Sequence, residues 1–256
     1  MKTRLALATL IPALAASVAQ AHFLELLPNR SIVSTPDEAA LEFRLAFSHP
    51  MEQGPLMHME TPVQFGVLAG EQRLDLRDRL QPVVENDATR FNAAYTVEQP
   101  ADLVFFAEPA PYWEPAEGKM IVHYTKVVVS AFDAGEGWDA MVGFPVEIEP
   151  LTRPYGLWTG NLFRGIVRKN GEPVPFAEIE VEFFNEGGAV TAPAGPFVTQ
   201  VIKADAHGVF AYTMPRAGWW GFAALIEGDE PMTNPAGKTV PVELGGLIWV
   251  HAVDMQ

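Results

Sequence analysis

Gly165-Ile166-Val167-Arg168-Lys169-Asn170-Gly171-Glu172-Pro173-Val174-Pro175-Phe176-Ala177-Glu178-Ile179-Glu180-Val181 decides the fold class. Two runs with β-branched residues flank an Asn-Gly pair, the dipeptide favoured in tight hairpins because both residues tolerate positive φ. The pattern recurs upstream. Leu41, Phe43, Leu45 and Phe47 alternate with Glu42, Arg44 and Ala46, the period-two signature of a half-buried strand. Leu103 to Ala107 is a short apolar run, and Met120 to Phe132 is a long β-rich one. Downstream, Ile179 to Phe184, Val198 to Lys203, Val209 to Thr213, Trp219 to Ile226 and Leu247 to Val253 continue it. The 22 prolines and 21 glycines fall mostly between these runs, as turn punctuation does. Gln72 to Leu80, with Leu74, Leu76 and Leu80, is the one stretch that predicts a short helix. Short, regularly spaced strands predict an all-β chain built as two β-sandwich domains.

Residues 1–21 read as a cleavable secretory signal. Lys2 and Arg4 give a positive start, Leu5 to Val18 is apolar, and Ala19-Gln20-Ala21 is a small-x-small cleavage site. The apolar run falls short of the roughly 20 residues a membrane-spanning helix needs. The mature chain is therefore expected to begin at His22, to reside in a periplasm and not to insert into a membrane. A boundary is expected near Pro150 to Gly160, giving an N-terminal sandwich over 22–152 and a C-terminal one over 153–256. The Asn-Gly hairpin followed by Asp205-Ala206-His207-Gly208-Val209-Phe210 resembles the transthyretin-like or carboxypeptidase-regulatory-like sandwich, a module without catalytic residues of its own.

The formal charge is −15, and removal of Lys2 and Arg4 makes the mature chain two units more negative. Such a field repels nucleic acid and anionic membrane surfaces and favours cations. There is no cysteine, so no disulfide braces the fold. A metal site in this chain must use imidazole, carboxylate, thioether or the N-terminal amine.

Six histidines focus the search: His22, His49, His58, His123, His207 and His251. His49 and His58 lie in Ser48-His49-Pro50-Met51-Glu52-Gln53-Gly54-Pro55-Leu56-Met57-His58-Met59, directly after the alternating strand. Met51, Met57 and Met59 crowd this expected loop, and thioether is a soft donor suited to Cu(I). A mature N-terminal His22 offers both its α-amine and its ring, a chelating pair that requires no further folding. An α-amine ordinarily titrates at about 7.7–8.0, so a metal displaces its proton near neutrality. His123 lies on a strand face with Ile121, Thr125 and Val127 and joins the site if the N-terminus and the loop converge on it. His207 sits in a turn, and His251 on the last strand with Trp249; both read as structural or surface residues. Tyr112-Trp113 and Trp219-Trp220 read as packing at a domain junction, and Glu114 and Glu117 as loop surface.

Gly-x-Ser-x-Gly, His-Glu-x-x-His and phosphate-loop motifs are absent, so no enzyme is expected. The blocks Ala110 to Val127, Leu151 to Asn161, Lys203 to Phe210 and Ala217 to Leu225 resemble a family of exported proteins classed as periplasmic components of cobalt/nickel uptake systems. The resemblance implies a soluble protein that binds Ni2+ or Co2+ and delivers it to a membrane metal transporter. On matching positions it implicates His22, His49 in His-Pro-Met and His123 in His-Tyr-Thr-Lys, with His58 as an accessory ligand. Three other readings remain open: a carrier of Cu+ or Cu2+ using the methionine-rich loop, a copper-dependent oxidative enzyme with an N-terminal histidine, and a secreted structural or adhesion protein.

Overall fold

The computed structural model describes residues 22–256; the expected signal and its cut site lie outside the described residues. The described chain is all-β, and its only helices are four single-turn 3-10 segments. Antiparallel strands Phe23–Pro28, Ala40–Ser48, Ala88–Thr96 and Gln81–Glu85 form one four-stranded sheet in that order. A second four-stranded sheet joins Val146–Pro150, Leu162–Lys169, Glu172–Pro173 and Val209–Thr213. The Asn-Gly hairpin is part of it, with Asn170 and Gly171 at φ 52° and 84° between paired Lys169 and Glu172.

An eleven-stranded sheet lies between these two and runs through both halves of the chain. Its centre is a parallel pairing of Lys119–Ala131 with Val242–Val253, which sets His123 beside Gly245. The expected boundary near residue 152 falls between Val146–Pro150 and Leu162–Lys169, which pair within the second sheet, while the central sheet stays continuous. The last strand shows why. Leu247 and Trp249 enter the first core, and Ile248, Val250 and Ala252 enter the second. With both faces buried there, Leu247 to Val250 is continuously apolar, as in covered parallel sheets. Trp249 packs edge-on against Phe23 at 6.0 Å and donates its indole N–H to the Leu24 carbonyl at 2.9 Å. Burying such a ring contributes about 5 kcal/mol at roughly 25 cal/mol per Å², so the C-terminal strand anchors the N-terminal one.

A third core, of Val104, Phe106, Val122, Tyr124 and Phe144, lies under the connector. Beside it Lys126 is buried with Glu147, 2.7 Å apart. The same carboxylate accepts the backbone N–H groups of Val142, Gly143 and Phe144, which satisfies a charge that is costly to bury otherwise.

The helix expected over Gln72 to Leu80 does not form. Gln72–Asp75 is a strand paired with Gln64–Ala69, and only Arg77–Arg79 makes a 3-10 turn. Leu74 faces Val67 across the hairpin, and the Leu76 N–H bonds the Phe65 carbonyl. The spacing of Leu74 and Leu76 is the period-two alternation of a strand edge.

Candidate metal centre

The N-terminal pairing builds the site. Phe23 lies opposite Ser48 in antiparallel register, so the residues one step outward are His22 and His49. Their rings are 4.5 Å apart, centroid to centroid. His49 is 5% exposed and His123, on the central sheet below, is 1% exposed. Phe47 links the group, with its ring 5.4 Å from His22 and 5.6 Å from His123.

Burial pushes the His22 imidazole down to about 4, and the neighbouring His49 and His123 lower it further. Its ring is neutral at physiological pH, the form a metal requires. Its Nε2 sits 3.3 Å from a carboxylate oxygen of Glu114. Metal-binding histidines commonly turn the nitrogen away from the metal toward a carboxylate, which fixes ring and tautomer. In this chain that contact occupies Nε2 rather than Nδ1. Both ring nitrogens of His123 are buried without a hydrogen-bond partner. Glu243 approaches its Nε2 to 3.8 Å, beyond hydrogen-bond range, while Glu243 is itself engaged by Lys119 at 2.5 Å. Unpaired buried imidazole nitrogens are uncommon, because each forfeits its water without replacement.

Among the described residues, no three His, Asp or Glu side chains stand in the geometry of a formed metal-binding group. The histidines share a neighbourhood and one aromatic spacer rather than a common centre. In the unprocessed chain the His22 nitrogen is an amide, which offers no lone pair to a metal. Imidazole nitrogens of this kind suit a transition metal, and an α-amine at His22 would add a further nitrogen donor.

Other expectations fare differently. His58 has a side chain 54% exposed, with Nε2 3.4 Å from Glu60 and Nδ1 accepting the Thr89 N–H, so both its nitrogens are engaged away from the three clustered rings. The methionines turn inward: Met57 and Met59 belong to the first core, and Met51 is also buried. The segment is a loop as expected, and packing accounts for the clustering of its methionines, with the Met57 N–H bonded to Phe47 and the Met59 N–H to Thr89. His207 lies in a turn where its N–H bonds Asp205, and His251 packs at a tilt against Trp219, 4.7 Å between centroids. Glu114, expected at the loop surface, is 7% exposed and belongs to the site. Nothing in the sequence marks it; the pairing of Tyr112–Glu114 with Lys119 to Ile121, which brings it beside His22, exists only in the folded sheet.

The His49 loop is held by the second half of the chain. The Met51 N–H donates to Glu182 at 3.1 Å, and the Asn185 side chain donates to the Met51 carbonyl at 2.9 Å. The Asn185 N–H also bonds the Pro50 carbonyl, and Gln53 Nε2 donates to the Asn185 carbonyl. Burial pushes the Glu182 carboxyl up to about 7.

Beside the imidazoles lies a cavity of about 230 Å³, walled by Phe47, Met59, Tyr112, Trp113 and Ile121, with His123 in its lining and His58 and Glu60 also along it.

Over residues 19–228 the sequence matches a family described as a domain of unknown function, DUF4198, a description that names neither metal nor transporter. No curated protein matches the chain. Among solved structures it is similar to a titin fragment, at 10% identity over 86% of this chain and 65% of that one, TM-score 0.22. It is also similar to the adhesin InvE of Yersinia pseudotuberculosis, at 10% identity over 86% and 58%, TM-score 0.25. A third is the D00-D0 domain of Intimin, at 11% identity over 91% and 100%, TM-score 0.21. The chain spans less than two thirds of the titin and InvE chains it matches.

Proposed function

Because this chain belongs to the DUF4198 family, whose description leaves its activity open, we propose a function from the site itself. The exported chain, cut before His22, binds one divalent transition-metal ion as cargo and passes it to a membrane uptake transporter. The His22 amine and Nδ1 chelate the ion, and His49 and His123 add imidazole donors. The observation that carries this reading is the strand register that sets His22 against His49, 4.5 Å ring to ring, beside a buried His123 whose nitrogens make no hydrogen bond and have Glu243 at 3.8 Å. Glu114 orients His22, and the acidic chain, at −15, favours the incoming cation.

Nitrogen donors of intermediate softness suit Ni2+, Co2+, Cu2+ and Zn2+. Met57 and Met59 belong to the first core, so packing accounts for their clustering without a Cu+ carrier. Ni2+ is the proposed cargo, with Co2+ second, on the resemblance of the Ala110 to Val127 and Leu151 to Asn161 blocks to metal-uptake proteins. Affinity order alone places Cu2+ above Ni2+, so the choice between them rests with metal supply and partner. Capture and release require no covalent step.

Native mass spectrometry and calorimetry with Ni2+, Co2+, Cu2+ and Zn2+ test the reading on the processed chain beside a form carrying one extra Met ahead of His22. One metal per processed chain is expected, with binding at least about tenfold weaker in the extended form, since even outer-shell partners contribute 10–100-fold. Equal binding by the two forms removes the amine from the site. No metal bound at micromolar concentrations refutes the reading.

A further inference from the structure

The cavity beside the imidazoles has a buried floor and an open rim. Phe47, Met59, Ile121 and His123 are buried in its floor, while the Glu60 side chain at its rim is 77% exposed. At about 230 Å³ it falls below the roughly 300–1,000 Å³ of pockets for drug-sized ligands, so it suits a small body. Its rings make a corner. Tyr112 stands at 66° to Phe47 with 5.2 Å between centroids, and His123 stands at 76° to the same ring at 5.6 Å. Aromatic ring faces carry negative potential and attract a cation set against them, more strongly where water is excluded. Met59 adds a polarisable thioether to the lining.

Charge points the same way. Among the described residues, no lysine or arginine lines the cavity, and its one carboxylate is Glu60. His58 also stands at the rim, with Nε2 3.4 Å from that carboxylate. At −15 the whole chain draws cations and repels anions. A bare ammonium is a poor fit for the floor, because each of its N–H groups needs an acceptor and the floor is mostly apolar. Methyl groups in place of those donors remove the need. The two His123 nitrogens, buried without a hydrogen bond, are the floor's only polar side-chain atoms.

We propose that this cavity binds a small methylated ammonium ion, with its methyl groups against Phe47, Tyr112 and His123 and its charge within the field of Glu60. Stacked and upright aromatic walls are a general means of recognising such ions. Neither His22 nor His49 lines the cavity, so the proposal stands apart from the metal reading and shares only His123 with it. A phosphocholine lipid headgroup would bring its phosphate to the Glu60 rim, a like-charge contact, so the ligand is a free solute rather than a membrane lipid.

Choline is the probe. The processed chain, held metal-free with a chelator, is titrated by calorimetry with choline and with its uncharged carbon analogue, which carries a tert-butyl group in place of trimethylammonium. Choline is expected to bind at millimolar concentrations or below, and the analogue at least about tenfold more weakly. Tyr112→Leu keeps apolar bulk but removes a ring face, and should erase that preference. Glu60→Gln alters only an exposed rim residue, so the fold is kept; it should weaken choline about threefold and leave the analogue unchanged. No binding of choline by the parent overturns the proposal, as does equal binding of choline and the analogue, or choline affinity unchanged in both variants. Retention of the parent, but not of Tyr112→Leu, on phosphatidylcholine vesicles overturns the free-solute source in favour of a headgroup. Choline binding without any metal binding leaves the cavity proposal standing while the metal reading falls, and the reverse result does the opposite.

Discussion

Replacing Asn185 by alanine tests whether the second half of the chain holds His49 in place. The side chain is 4% exposed and makes three hydrogen bonds: to the Met51 carbonyl at 2.9 Å, to the Val190 carbonyl at 2.8 Å and from the Val190 N–H at 2.9 Å. At about 1 kcal/mol net each, their loss destabilises the fold by about 3 kcal/mol, with buried carbonyls left unpaired adding to the cost. The share that concerns the site is the Met51 link, about 1 kcal/mol, which is a factor of about five in local opening. The backbone bond from Asn185 to Pro50 and the Met51–Glu182 bond survive, so the loop loosens without detaching. Urea unfolding measures the global term, and hydrogen exchange at the Met51 amide, which points at Glu182, measures the local one. Metal titration then reads the consequence for His49, with affinity falling by the same factor of about five. A stability loss below about 1 kcal/mol with unchanged Met51 exchange would refute the idea that this contact positions the loop. Faster exchange with unchanged metal affinity would show that the loop is held there but that His49 does not coordinate.

Three further outcomes follow from the geometry. Gly245→Ala places a methyl 2.4 Å from His123 Cδ2 and 2.9 Å from Leu247, so the ring must move; the variant should lose metal binding at least about tenfold while keeping its β-type circular dichroism. Glu180→Gln probes a buried carboxyl that burial pushes up to about 8, with Glu243 and Glu182 adding to the rise. Because the folded chain holds that proton and the unfolded chain releases it near 4.5, the parent loses stability as pH climbs from about 4.5 to 8. The variant should therefore be more stable than the parent by a few kcal/mol at pH 8.5 and equal to it at pH 4, and an equal difference at both values would show that Glu180 does not titrate in that window. For metal binding, the His22 ring is already neutral above about 4, so it releases no proton at pH 5–7. The α-amine of the processed chain, near 7.7–8.0, does release one, and affinity should fall about tenfold for each unit by which pH is lowered, from this group alone; a flat profile between pH 5 and 7 would exclude the amine as a ligand.

Hydropathy alternation and turn chemistry are enough to identify an all-β chain, because strand periodicity and the Asn170-Gly171 turn are local properties. They fail at Gln72 to Leu80, where leucines two apart suit a helical period loosely although they alternate along a strand. The loop methionines mislead for a related reason: a short segment does not reveal that its chain turns back over the sandwich, which puts Met57 and Met59 in the core. His22, His49 and His123 can be named as candidates from scarcity, position and donor chemistry. Their meeting cannot, since it depends on the Phe23–Ser48 register and on the packing that brings Phe47 against both His22 and His123. Glu114, Glu243, Glu182 and Asn185 leave no distinguishing mark in the sequence, being ordinary polar residues until pairing buries them. The parallel union of Lys119–Ala131 with Val242–Val253 joins strands more than a hundred residues apart. Composition and local pattern thus determined the strands and the available donors. The tertiary structure decided which donors share a site, because register and long-range sheet pairing are settled by burial on both faces at once.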